Sequence, residues 1–135
     1  LLVSDARMHD ARLTLDLAGD LPAVRVDPIQ IQQVILNLAH NAFEAIRDAG
    51  DPINREVTLS TQLVGGQVEV AVCDSGPGLS DDTAKHLFEP FFTTKAAGTG
   101  LGLSISRSIV QAHGGKLVYD RNSPRGTCFR FSFPS

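Results

Sequence analysis

The segment Leu87–Ser106, LFEPFFTTKAAGTGLGLSIS, joins an aromatic cluster to three alternating glycines and then to a helix-like run. Gly98, Gly100 and Gly102 lie at the start of a helix predicted over 101–113. The N–H groups and positive dipole end of a helix N-terminus favour a phosphate, and glycine lets the backbone approach it closely. The spacing is not that of the dinucleotide-binding fingerprint, which also needs a preceding parallel strand. We interpret the segment as a phosphate-binding loop, with a glycine-rich linker as the alternative.

Two further features of this segment bear on that interpretation. Lys95 lies three residues before Gly98, where it could reach a phosphate or simply be a surface residue. Phe88, Phe91 and Phe92 are too apolar for a free linker. We expect these rings to anchor the base of a mobile loop.

The composition bounds the possible classes of protein. The chain has 135 residues, 42% hydrophobic and 20% charged, as in a soluble globular protein of one domain. The net charge of −3 provides no basic face for nucleic acid. We see no apolar stretch of membrane-spanning length and no signal peptide, and the missing initial methionine suggests a fragment of a longer protein. We interpret Cys73 and Cys128, both in strand-like apolar runs, as reduced core residues of a cytosolic protein rather than a disulfide or metal site.

Hydrophobic periodicity predicts a fold of mixed strands and helices. Alternating residues indicate strands over 12–18, 56–64, 67–74, 116–120 and 127–133, the second and third forming a hairpin across Gly65-Gly66. A long helix begins with Asp27 as N-cap and Pro28 at the first position, and ends at Gly50. Shorter helices follow over 80–87 and 101–113. We therefore expect an α+β fold, a two-layer sandwich with about three helices on one face of a mixed sheet.

Two polar motifs outside the glycine segment are candidates for chemistry. Asn37 and Asn41 lie four apart on one face of the long helix, where an amide oxygen can serve as a hard ligand for Mg²⁺. A solvated helix face is the alternative interpretation. DSGPGL, residues 74–79, places the Asp74 carboxylate at the end of a buried strand, where it could accept a hydrogen bond from an adenine amino group. A simple turn is the alternative for this motif, and also for Gly126-Thr127 before the last strand.

Taken in order, five segments resemble the motifs of the catalytic, ATP-binding domain of sensor histidine kinases. NLAHNAFEA (37–45) is similar to the motif called the N box, and DSGPGL (74–79) is similar to the first glycine box. LFEPFF (87–92) is similar to the F box, and GTGLGLSIS (98–106) to the second glycine box. GTCFRF (126–131) is similar to the last box of the family. The wider superfamily includes DNA gyrase, the Hsp90 chaperones and MutL, and its shared architecture is called the Bergerat fold. The nitrogen-regulation and oxygen-sensing kinases are the most similar type.

The resemblance implies a role for each matching residue. Asn41 would coordinate Mg²⁺, with Asn37 beside it as the second catalytic residue. Asp74 would receive the adenine amino group in a pocket shaped by Gly76 and Gly78, and Thr127 would support it through water. The remaining ATP-binding residues would cover the triphosphate at the end of a flexible lid over 79–99: Lys95, Gly98, Thr99, Gly100, Leu101 and Gly102. Many histidine kinases have lysine at the position of Glu44, so no phosphate contact is assigned to Glu44.

The resemblance also implies an activity and partners. Residues 1–135 would be one catalytic domain of a protein-histidine kinase, which transfers the γ-phosphate of ATP to a histidine on a separate dimerisation domain and serves a response regulator. The domain would be cytoplasmic, without membrane contact of its own, although the full protein could be membrane-anchored. We do not expect His9 to be the histidine that accepts the phosphate. It lies directly before a predicted strand, and the proline that usually accompanies the acceptor histidine of this family is missing. Alternatives are a superfamily ATPase, a serine-directed kinase, or a regulatory nucleotide-binding module without turnover.

Overall fold

Five strands and three helices make up the part of the chain that can be described. The computed structural model describes residues 11–19, 21, 24, 26–51, 53–89, 102–122 and 125–134. In chain order the elements are β1 (Arg12–Leu17), α1 (Pro28–Ala49), β2 (Glu56–Val64), β3 (Gln67–Asp74), α2 (Asp81–Lys85), α3 (Gly102–Ala112), β4 (Lys116–Arg121) and β5 (Thr127–Pro134). Each predicted strand and helix is present, with its ends shifted by only a few residues.

The sheet is mixed, as predicted. Its strand order is β1-β2-β3-β5-β4. β1 pairs with β2 in parallel, and the remaining neighbours pair antiparallel. Gly65 and Gly66 both have positive φ, 57° and 78°, which the tight turn between β2 and β3 requires.

One face of the sheet packs against helices to form the core. Successive residues of a strand point to opposite faces, so Phe129, Phe131 and Phe133 of β5 share one face and are all buried. The same cluster contains residues of α1 and α3, among them Phe43 and Val110. Further members are Val34, Leu38, Ile46, Val57, Val70, Val72, Leu87 and Leu117. The two-layer α+β arrangement is confirmed.

Helix α1 begins and ends at the residues that its sequence favours. The Asp27 side chain accepts hydrogen bonds from the N–H groups of Ile29 and Gln30, at 3.0 and 3.4 Å, and Pro28 occupies the first helical position. Gly50 ends the helix with φ 65°, a left-handed conformation that glycine adopts at little cost. The predicted N-cap, first helical position and terminal glycine of this helix are thus confirmed.

The prediction that Cys73 and Cys128 are reduced is wrong, because the structure joins them by a disulfide. Pairing of β3 with β5 places the two residues directly opposite each other, with their Cα atoms 4.1 Å apart. Strand alternation puts the bond on the face away from the helices, one row from the pair formed by Asp74 and Thr127. The alternation within each strand does not give the register between two distant strands, so the sequence alone could not show this contact.

Within the described ranges, no helix is long and apolar enough to cross a membrane.

Candidate functional site

Asp74 lies at the end of β3, in the middle of the sheet, and only 5% of its surface is exposed. Its Oδ1 accepts a hydrogen bond of 2.9 Å from the N–H of Gly76. Its backbone oxygen accepts a second bond of 2.9 Å from the side-chain amide of Asn122. A buried carboxylate positioned in this way can recognise an amino group of a ligand.

The chain packs so closely around Asp74 that position 126 requires a glycine and positions 76 and 78 favour one. A Cβ on Gly76 would lie 3.0 Å from Asp74 Oδ1, and a Cβ on Gly126 would overlap the backbone oxygen of Asp74. Gly78 and Gly126 have positive φ, 82° and 112°, and the Cβ of any residue at 78 would lie 3.4 Å from the oxygen of Gly126. The glycines thus serve the packing of the protein itself, whatever they do for a ligand.

Thr127 completes this end of the site. It is the register partner of Asp74 between β3 and β5, and it is as buried as Asp74, with 5% of its surface exposed. The structure therefore brings together four residues that the sequence predicted for the base pocket, namely Asp74, Gly76, Gly78 and Thr127.

A second part of the site lies where α1 meets α3. The side-chain nitrogen of Asn37 donates a hydrogen bond of 3.3 Å to Oγ of Ser106, whose side chain is fully buried. Ser106 lies one turn after Gly102, the first residue of α3. The contact joins the predicted N box to the helix that follows the predicted phosphate loop.

Both parts of the site lie along one face of α1. Asn37, Asn41 and Ala45 are spaced by four residues and therefore lie on one side of the helix. Ala45 reaches the Asp74 end, because a Cβ on Gly76 would lie 3.7 Å from the Cβ of Ala45. From Ala45 to Asn37 the helix rises by about 12 Å. Asn41 lies between the two ends and is half-buried.

Several predicted residues fall outside the described part of the chain. These are Lys95, Gly98, Thr99, Gly100 and Leu101, together with Phe91 and Phe92. Of the predicted lid over 79–99, only 79–89 are described. Phe88, the described member of the aromatic cluster, packs edge-on against Phe129 of β5, with ring centroids 6.4 Å apart, and lies 5.3 Å from the guanidinium of Arg107.

The donor set at Asn41 is compatible with Mg²⁺. Among the described residues, no group of three or more His, Cys, Asp or Glu side chains is arranged to hold a metal ion. Asn41 is half-buried and carries an amide oxygen, a type of ligand that suits a cation which takes few protein ligands and completes its coordination with water and substrate phosphates.

Four contacting residues were not identified as site residues from the sequence. Each of the four touches a predicted site residue: they are Ser106, Asn122, Arg125 and Gly126. Gly126 lies in the last of the five motifs and Ser106 ends the fourth, so both had a usable signal. Asn122 and Arg125 lie in a polar turn, where nothing in the residue pattern distinguishes them from ordinary turn residues.

The comparison with known families identifies the chain. A family model described as histidine kinase-, DNA gyrase B-, and HSP90-like ATPase matches residues 26–135. The chain belongs to this family. The kinship with sensor histidine kinases that was inferred from the five motifs is confirmed.

Relatives of this histidine kinase-like ATPase domain include a sensor kinase and two solved structures. The sensor protein FixL of Bradyrhizobium diazoefficiens is 46% identical over 125 residues, which are 92% of this chain and 24% of FixL. The catalytic domain of histidine kinase ThkA has a TM-score of 0.82 at 33% identity, with 98% of this chain and 84% of ThkA covered. Full-length ShkA in complex with AMPPNP has a TM-score of 0.79 at 27% identity, with 97% of this chain and 27% of ShkA covered. The chain therefore spans about a quarter of the length of FixL.

Proposed function

We propose that this chain binds ATP together with Mg²⁺ and transfers the γ-phosphate to a histidine on a separate dimerisation domain, in two-component signal transduction. One observation carries the proposal: Ala45 and Asn37 lie on the same face of α1. Ala45 lies beside the loop that follows Asp74, and Asn37 is hydrogen-bonded to α3. A base-recognising carboxylate and a helix N-terminus suited to phosphate thus lie at the two ends of one helix face. The likeness to ShkA, whose structure holds AMPPNP, supports a nucleoside triphosphate as the ligand.

At the Asp74 end, the adenine amino group would donate to the buried carboxylate. Gly76 and Gly78 add no side chain to the loop beside it, where the flat ring would lie. Thr127, on the neighbouring strand, would support the contact through water. Because Asp74 is held by the N–H of Gly76, its carboxylate is oriented before the base arrives.

At the opposite end, the triphosphate would lie between Asn41 and the start of α3. Mg²⁺, held by Asn41 and the phosphate oxygens, would neutralise charge on the triphosphate. Gly102 begins α3 and would present a backbone N–H to phosphate. The other residues proposed to contact the triphosphate are Gly98, Thr99, Gly100, Leu101 and Lys95. Catalysis would consist mainly of positioning and charge neutralisation.

Asn37 favours a histidine target over water or serine. Water and a serine hydroxyl both need a base or positioning group, whereas a neutral imidazole already offers a lone pair. Asn37 has an amide where the hydrolytic relatives have glutamate, and it uses its nitrogen to bond Ser106. An amide cannot accept a proton at neutral pH, so we expect slow hydrolysis of ATP. Glu44, one turn beyond Asn41 on α1, is the residue that could act as a base instead.

We also propose that the domain is part of a longer kinase with defined partners and a defined location in the cell. Residues 1–135 would form one catalytic domain, and FixL, about four times as long, supports its placement within a longer kinase. Its partners would be the dimerisation domain of the same kinase and, further downstream, a response regulator. A cytoplasmic position fits, because ATP is available there. A magnesium requirement and a nitrogen-regulation or oxygen-sensor type of input stay predictions.

Phosphotransfer from γ-labelled ATP tests the proposal. The chain is incubated with a helical dimerisation domain that carries an acceptor histidine, and in parallel with the same domain in which that histidine is replaced by glutamine. We expect acid-labile label on the first domain only, and none on this chain when it is incubated alone. Label on His9 would overturn the assignment of a separate acceptor.

Steady-state phosphate release distinguishes the alternatives. Rapid release without transfer, abolished by Glu44→Gln, would identify an ATPase. Acid-stable label on serine would identify a serine kinase. Binding of ATP with neither transfer nor release would indicate a regulatory module.

A further inference from the structure

Arg125 connects two loops that are far apart in the sequence. It lies just before β5, and its Nε donates a hydrogen bond of 2.9 Å to the backbone oxygen of Gly76. Its Nη1 lies 3.4 Å from Oδ2 of Asp51, which precedes β2. The side chains of Arg125 and Asp51 are 38% and 26% exposed, so the pair is partly shielded from water. One planar guanidinium therefore holds both loops.

The peptide groups of Gly76 are held from two sides. Its N–H donates to Oδ1 of Asp74 and its oxygen accepts from Arg125, with both distances 2.9 Å. A movement of Gly76 would alter the hydrogen bond that orients the Asp74 carboxylate. Arg125 thereby acts on Asp74 without touching its side chain.

The Asp51 carboxylate that pairs with Arg125 is held by several donors of its own. The carboxylate of Asp51 accepts from the backbone N–H groups of Ile53 and Asn54, at 2.8 and 3.3 Å, and from the side-chain nitrogen of Asn54, at 2.7 Å. The bond from the Asn54 side chain lowers the pKa of Asp51 most, the two backbone donors lower it further, and the charge of Arg125 adds a smaller effect. The anchor is thus ionised near neutral pH and fixed by its own turn.

We propose that Arg125 is a positioning residue for base recognition: anchored on Asp51, it fixes Gly76 and through Gly76 the orientation of the Asp74 carboxylate. The inference rests on the proposed function, since it assigns base selectivity to that same site. Arg125 and Asp51 both lie outside the five motifs.

The experiment compares the affinities for ATP and inosine triphosphate, which carries a carbonyl where adenine has its amino group. In Arg125→Ala we expect the preference for ATP to fall by about tenfold, the factor that corresponds to one charge-assisted hydrogen bond. Arg125→Lys should recover only part of the preference, because an ammonium lacks the planar fork that reaches both acceptors. Arg47→Ala is the control, since Arg47 pairs with its exposed neighbour Asp48 and should leave the preference unchanged.

A merely structural role would give a different result. Lower stability alone would weaken the binding of both nucleotides equally. An unchanged ratio of the affinities for ATP and inosine triphosphate in a folded Arg125→Ala protein would refute the inference. Asp51→Asn provides a second variant: it should shift the ratio in the same direction, and adding it to Arg125→Ala should have little further effect. Full additivity would show that the two residues act separately and would also refute the inference. If the unaltered chain binds neither nucleotide, the proposed function itself fails; selective binding that survives in Arg125→Ala removes the inference alone.

Discussion

Asp74 is the residue at which the local packing and the proposed chemistry meet. Its buried carboxylate accepts the N–H of Gly76, and its backbone oxygen accepts the amide of Asn122. These two bonds fix the loop after β3 and leave the carboxylate oriented in advance. A substitution at this residue therefore affects the pocket both by removing an acceptor and by releasing the loop.

We expect Asp74→Ala to lose most of the affinity for ATP, about 1–3 kcal/mol of binding free energy, because the adenine amino group loses its acceptor. Isothermal titration calorimetry measures the loss. Asp74→Asn is the matched variant, since its amide oxygen can still accept the Gly76 N–H and thus separates the loop from the charge. Unchanged ATP affinity in the alanine variant would remove Asp74 from the proposed base pocket.

The titration of His86 gives a prediction about pH. Its Nδ1 lies 2.9 Å from Oε1 of Glu89, and the hydrogen bond to Glu89, followed by the charge of Glu89, raises the pKa of His86 above its usual 6.5. A raised pKa means that the folded protein favours the imidazolium. The resulting stabilisation is therefore fully present below the unfolded pKa and is lost as the pH rises through the folded pKa.

We expect Glu89→Gln to lower the pKa of His86 towards the usual value, as measured by NMR titration of the imidazole. Asp82→Asn serves as the control and should change the pKa less, because the charge of Asp82 has the smaller effect. A His86 titration that is identical in the unaltered protein and in Glu89→Gln would contradict the assigned pairing.

At the scale of elements, hydrogen bonds between described residues join α1 and its N-cap to α3 and the residue after it. Asn37 bonds Ser106 near the middle of both helices, and the N–H of Asp27 donates a bond of 3.1 Å to Nε2 of His113, just beyond the end of α3. The other ring nitrogen, Nδ1 of His113, lies 2.8 Å from the oxygen of Ile109, so this histidine contacts both the last turn of α3 and the N-cap of α1. The face of α1 that carries Asn37 and Asn41 is thus fixed relative to α3.

The N-cap of α1 can be tested directly. We expect Asp27→Ala to lower the free energy of unfolding by about 1 kcal/mol, because the N–H groups of Ile29 and Gln30 lose their acceptor. Urea denaturation measures the change. Asp27→Asn retains an acceptor and should cost only a few tenths of this amount. Equal losses in both variants would show that charge, and not capping, is what matters at this position.

The pairing of β3 with β5 is reinforced by the Cys73–Cys128 disulfide. The bond closes a loop between residues that are 55 apart in the sequence. Restricting the unfolded chain in this way typically stabilises a protein by about 2–4 kcal/mol. The reinforced row is adjacent to the row that contains Asp74 and Thr127.

We expect a variant with both Cys73→Ala and Cys128→Ala to lose about 2–4 kcal/mol of unfolding free energy. A thiol reductant should produce a loss of similar size in the unaltered protein and no effect in the double variant. Because disulfides are rare in the cytoplasm, alkylation in denaturant without reductant provides a separate check. Labelling of two thiols per chain by that treatment would show that the bond is absent.

For the molecule as a whole, the sequence predicted the elements well and the contacts between them only in part. Alternation and capping residues placed α1, from Pro28 to the cap at Gly50, because these signals act within a few residues. The residues of the proposed base pocket were predicted because their order along the chain matches the motifs of a family. The disulfide and the contacts of Arg125 were missed, since each joins segments whose register depends on tertiary packing.

The parallel pairing of β1 with β2 has a consequence for the order in which the chain folds. Arg12 pairs with Glu56, with all of α1 in between, whereas β2 and β3 are joined by a two-glycine turn. Closing a long loop costs more chain entropy than closing a hairpin, so contacts between distant segments form slowly. We therefore expect pulsed hydrogen exchange during refolding to protect the amides of the β2–β3 hairpin before those of β1. Protection of β1 before the hairpin would mean that β1 pairs early, and not by adding to a hairpin that has already formed.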